Sequence, residues 1–110
     1  MDEVVILYTT WPDAEAALAC GRALTREGLA ACVNVLPGMR SVYRWQGAVA
    51  EGHEAVMLIK TVRAQAETVR DQVAAAIGYD VPMILALPAD TELSHPSSLA
   101  WIVTEAVGAG

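Results

Sequence analysis

The sequence predicts an α+β fold: a ferredoxin-like βαββαβ sandwich closed by a C-terminal helix. Three observations predict it. Apolar and alternating runs are interleaved with two segments of helical period, turn signals fall between them, and 110 residues suffice for one core but not two. The chain therefore reads as a single domain over residues 1–110.

Glu3 to Thr10 reads as a buried strand, after which Pro12-Asp13 supplies a turn and a helix N-cap. An alanine-rich helix follows to about Glu27 and stops at Gly28. Within it Ala16 or Ala17, Cys20, Ala23 and Leu24 recur at steps of three and four, the stripe of a helix lying on a sheet. From Leu29 to Leu36 the chain is apolar and β-branched, pauses at Pro37-Gly38 and resumes with alternating character from Met39 to Gly47. This reads as one long strand, bulged or bent at Pro37-Gly38. Beyond the bend Val42, Arg44 and Gln46 share one face, and Tyr43 and Trp45 the other.

Gln46 to His53 reads as a turn-rich bridge, and Glu54 to Thr61 as the third strand. A second helix carries Ala66, Val69, Val73, Ala76 and Ile77 on its apolar side and Glu67, Arg70 and Asp71 opposite, and Gly78 stops it. Val81 to Leu87 reads as a short apolar strand. Pro82 must sit at its start or on an edge, since proline donates nothing to a ladder, and Pro88 ends it. A polar loop, Ala89 to Ser98, leads to a short helix through Leu99, Trp101, Ile102 and Ala106 and a flexible Gly-Ala-Gly end. Two βαβ halves with right-handed crossovers then place the helices on one face of a four-stranded antiparallel sheet. The other face is left bare.

Composition bears on what could cover that face. The chain is 55% hydrophobic with a mean hydropathy of +0.37, more apolar surface than a small monomer readily hides, which favours association. A net charge of −6 and the absence of any basic block argue against nucleic acid and anionic lipid as partners. No apolar run approaches the ~20 residues that span a bilayer, and the acidic start MDEVVILYTT lacks the features of a signal peptide, so a cytoplasmic setting is expected. Cys20 and Cys32 show neither CxxC nor Cys/His spacing and read as reduced, buried thiols.

Lys60 is the only lysine, and it stands inside the apolar run Ala55 to Thr61. A cation there needs a partner to offset its desolvation. Glu54, Val56, Leu58 and Lys60 share a face, but Glu54 and Lys60 are about 20 Å apart along an extended strand. Any partner of Lys60 must come from another strand or another subunit.

These residues also carry a family resemblance: AACVNVLPG from Ala30 to Gly38, then Tyr43, Trp45, Gly47, Glu54 and Lys60-Thr61, then Tyr79, Pro82 and Leu87-Pro88. The chain resembles divalent-cation tolerance proteins of the CutA family over nearly its whole length. That resemblance implies a homotrimer like those of PII signalling proteins, with clefts between subunits, and a role in tolerance to copper and other divalent ions without an established reaction. Many members carry a His-Pro-Tyr-Glu-type segment and a glutamate after the following proline. This chain instead reads Ile77-Gly78-Tyr79-Asp80-Val81-Pro82-Met83, so a copper site built on that histidine and glutamate does not carry over.

The resemblance and the residues together nominate an intersubunit cleft lined by Tyr43, Trp45, Glu54, Lys60, Tyr79 and Asp80. Aromatic side chains with a polar tip suit such half-buried positions, though the same residues serve plain interface packing. Cys32 is the nominated metal ligand, a soft donor for a divalent metal such as copper, set against its commoner role as a small hydrophobe. Met57 and Met83 read as core, His53 as a solvent-facing hairpin residue and His95 as part of a Ser-His-Pro loop. No nucleophile–base motif and no phosphate-cradling glycine loop is present, so a non-catalytic protein is expected. An alternative reading is a sensor that holds a small anion or metabolite near Lys60.

Overall fold

A computed structural model describes residues 2–108. Ala109 and Gly110, the last two residues of the expected Gly-Ala-Gly end, lie outside the described residues. The elements run β1 (Val4–Trp11), α1 (Ala14–Arg26), β2 (Cys32–Trp45), β3 (Ala48–Val62), α2 (Arg63–Ile77), β4 (Ile84–Pro88) and α3 (Pro96–Glu105). The strands form one antiparallel sheet in the order β2-β3-β1-β4, which is the ferredoxin-like arrangement with β2 and β4 as its edges.

Asp13 starts α1 by accepting a 2.8 Å hydrogen bond from the Ala16 amide, satisfying one of the orphan donors of the first turn. The helix buries Ala17, Cys20, Gly21 and Leu24. Gly21 sets how closely it lies on the sheet, because a Cβ there would come within 2.6 Å of Val33 Cγ2. Helix α2 adds Val69, Val73 and Ile77. Ala76 turns outward, since it stands one position off that stripe. Both helices pack on the sheet face formed by Leu7, Trp11, Ala55, Met57 and Ile59. Trp11 is fully buried; its indole N–H donates to Thr9 Oγ1 at 2.7 Å, and that hydroxyl donates to the Met57 carbonyl at 2.7 Å.

The third helix departs from the expected layering. Leu99, Ile102 and Ala106 of α3 pack against Val4 and Val62. Those two residues are opposite one another in register and alternate with Val5 and Thr61, so they belong to the face turned away from α1 and α2. Helix α3 therefore covers one end of the second face, and the helices are not confined to one side.

The strand boundaries differ from the sequence reading in two further places. The expected bridge Gln46 to His53 is strand from Ala48 onward, and the turn is only two residues, Gln46 (φ 50°) and Gly47 (φ 81°). Positive φ at both central positions is the geometry whose twist matches paired strands. The fourth strand begins at Ile84 and includes Pro88, so Pro82 precedes the strand instead of opening it.

The pause at Pro37-Gly38 is a bulge. Leu36 faces Val56 and Met39 faces Glu54, so two residues of β2 stand opposite Ala55 alone, with Gly38 at φ 75°. A bulge of this count resets the alternation. Cys32, Asn34 and Leu36 before it, and Met39, Ser41, Tyr43 and Trp45 after it, consequently share one sheet face. The 3.8 Å contact from the Tyr8 hydroxyl to Met39 Sδ ties that face to the even-numbered side of β1.

Strand β1 pairs with β3 only from Ala55 onward. The hairpin from Met39 to Glu54 thus runs past the end of β1 as a two-stranded arm. This arm stretches the chain to 44 × 30 × 22 Å, with a radius of gyration of 14.5 Å against about 13 Å for a compact chain of this length.

Candidate functional site: an aromatic cavity at the root of the arm

The cavity occupies about 680 Å³ where the arm meets the segment between α2 and β4. Three pieces of chain build it. The arm brings Tyr43 and Trp45, set on the cavity's face by the bulge. Strand β3 brings Glu54 at the arm's root. The left-handed Gly78 (φ 79°) ends α2 and releases Tyr79 and Asp80 toward the arm.

Tyr79 closes the arrangement. Its hydroxyl donates to Glu54 Oε2 at 3.1 Å, linking the α2–β4 segment to the arm. Burial of the phenol, together with the hydrogen bond to Glu54 and the charge of that carboxylate, pushes its pKa up to about 12. The group therefore stays protonated and remains a donor throughout the neutral range.

Of the six residues nominated for a cleft, Tyr43, Trp45, Glu54, Tyr79 and Asp80 line this cavity. Lys60 does not. It is half-buried farther along β3, beside Cys32 and Ile6 in register, and no carboxylate lies within 4.0 Å of it among the described residues. Cys32 shares the Lys60 row, away from the aromatic cavity, and on this edge strand it is half-buried where burial was expected; Cys20 is buried. Its thiol approaches only the Val33 carbonyl (3.7 Å) and Asn34 Oδ1 (3.8 Å), and no group of three or more His, Cys, Asp or Glu able to hold a metal occurs among the described residues.

His53 is exposed in the β2–β3 hairpin as expected, on strand β3 opposite Arg40 and not in a turn. His95 caps α3, its Nδ1 accepting from the Ser97 amide at 3.1 Å. Sequence reasoning missed Tyr8 and Thr10, which also line the cavity. The signal was available in the period-2 spacing of β1, which puts both on the side away from α1 and α2.

By fold the chain is a small ferredoxin-like domain, and its arm and α2–β4 segment frame an open aromatic cavity with a hydrogen-bonded carboxylate. The chain belongs to the family described as CutA1 divalent ion tolerance protein, whose pattern it matches over residues 5–105. It is 46% identical over 88 residues to the divalent-cation tolerance protein CutA of Thermus thermophilus, covering 80% of this chain and 84% of that one. It is 40% identical over 84 residues to the chloroplastic CutA of Arabidopsis thaliana, covering 76% of this chain and 46% of that one, so it spans about half of the plant relative. The solved Thermus thermophilus protein superposes with a TM-score of 0.86 at 37% identity, covering 93% of this chain and 97% of the other.

Proposed function

We propose that this chain acts as a non-catalytic, cytoplasmic homotrimer in tolerance or response to divalent metal ions, with the aromatic cavity as part of a cleft between subunits. The observation that carries the reading is the two-stranded arm. A hairpin without a third strand is marginal on its own, yet this one holds Tyr43 and Trp45 at 46% and 44% exposure. Beyond the arm, Leu36, Leu85 and Leu87 are more than half exposed on the sheet face that α3 leaves bare. The two free edges, β2 and β4, are unlike and stand on opposite sides of the sheet, which suits a head-to-tail ring over a two-fold dimer. Sedimentation velocity tests this: three times the 11.6 kDa of one chain is expected, and a stable monomer refutes it.

The metal part of the reading rests on the family and assigns Cys32 as the thiol that meets a soft ion, with further donors required from sister chains. Copper titration of the wild type and of Cys32→Ala tests that assignment; binding unchanged by the substitution removes Cys32. Two free cysteines accord with a reducing compartment. Cell fractionation decides the location.

A second reading has its own observation. Lys60, half-buried on the bare face and without a carboxylate in reach among the described residues, is placed to hold a small anion or metabolite once sister chains surround it. A metabolite that raises the melting temperature of the wild type but not of Lys60→Met supports it.

A further inference from the structure

We propose that the cavity at the root of the arm takes a small organic cation, an alkylammonium group seated against Tyr43 and Trp45 and paired with the carboxylate of Glu54. The inference rests on the reading of that cavity as the ligand site and adds the chemical class of its occupant.

The cations of the arm share one face. After the bulge, Arg40 and Arg44 alternate with Tyr43 and Trp45, and His53 alternates with Glu54. One side of the ribbon therefore carries Arg40, Arg44 and His53, together with Glu51, which pairs with Arg40 at 3.9 Å. The other carries Tyr43, Trp45 and Glu54 without any cation of its own. Although Arg44 and His53 also line the cavity, neither makes an ion pair with Glu54, and no Lys, Arg or His nitrogen lies within 4.0 Å of that carboxylate among the described residues.

Glu54 is half-buried, and among the described residues its side-chain partner is the Tyr79 hydroxyl on Oε2. That neutral donor leaves the charge uncompensated and Oε1 free among the described residues. Aromatic faces attract cations through their negative quadrupole, and quaternary ammonium groups are recognised by such rings in general. Asp80, on the same wall, adds a second negative charge. A volume of about 680 Å³ falls within the ordinary range for small organic ligands. A bare divalent ion fits less well, because no cluster of three donors is present among the described residues.

The test is calorimetric titration of the full chain with choline and with its uncharged carbon isostere, in which a tert-butyl group replaces the trimethylammonium, at constant ionic strength. The expected result is choline binding at least about tenfold tighter than the isostere. Glu54→Gln, which keeps an oxygen for Tyr79, is expected to weaken choline by about fivefold or more. Equal affinity for the two probes, no choline binding, or a Glu54→Gln variant that binds choline as the wild type does would each overturn the proposal. Sedimentation of the same samples separates this failure from that of the assembly reading: a trimer silent to choline overturns the cation alone, whereas a monomer that binds choline overturns the trimer alone.

Discussion

At the scale of single residues, Tyr79 and Gly21 make the sharpest demands. The Tyr79 phenol is pushed from 10.0 to about 12 in the folded chain, so folding favours its protonated form. Its contribution is complete below pH 10, where folded and unfolded chains both keep the proton, and is lost as the pH rises through 12. Chemical denaturation across this window is expected to show a fall in stability that is smaller in Tyr79→Phe. Gly21 answers to sterics. Placing a Cβ 2.6 Å from Val33 Cγ2 forces that side chain or α1 to shift, and Gly21→Ala is expected to cost about 1–3 kcal/mol in urea unfolding despite the better helix propensity of alanine. The sequence does not announce that demand, because a mid-helix glycine reads as a weak helix former until its neighbour across the interface is known. Lys60 shows the converse. Its need for a partner beyond its own strand was legible, but its distance from the aromatic cavity followed only from the register of three strands.

At the scale of elements, the arm is governed by its bulge and its tip. Deleting Gly38 would leave Pro37 alone opposite Ala55; Tyr43 and Trp45 would keep their face, but the bend and added twist that the bulge gives the ribbon would be lost and the arm re-aimed against the sheet. Such a chain is expected to keep its helical circular dichroism, which comes from elements elsewhere, while losing assembly by sedimentation. At the tip, Gly47→Val places a β-branched residue at φ 81°, and the resulting strain of about 1–2 kcal/mol is expected to appear as faster amide exchange confined to the arm. The bulge was visible in the sequence because Pro-Gly interrupts an otherwise apolar strand. The start of β3 was not: Ala48 to His53 contains glycine, acid and histidine, which read as loop, and only pairing with the alternating stretch Met39 to Trp45 makes a strand of it. Helix α3 was legible as a helix but not as a cover for the second face. Its apolar residues fit either side of a sheet, and the choice is made by Val4 and Val62 at the far end from the cavity.

At the scale of the whole molecule, the sheet presents two unlike edges and an incompletely covered face. Charge placed on that face tests its burial most directly. Leu85→Glu or Leu87→Glu, at positions 54% and 52% exposed in the single chain, is expected to leave the protomer folded and shift the sedimenting species to lower mass. The same change on Leu93, 86% exposed in the loop before α3, is expected to have little effect. The arm also limits how the molecule can vary in length. One residue added to each side of the tip keeps the existing pairs, but the first new side chains point away from the aromatic side. Two per side restore the phase and lengthen the reach by about 6.8 Å. Size variation at this tip is therefore expected to run in doublets per strand, a quantisation that comparison of hairpin lengths among related chains can check without any biochemistry.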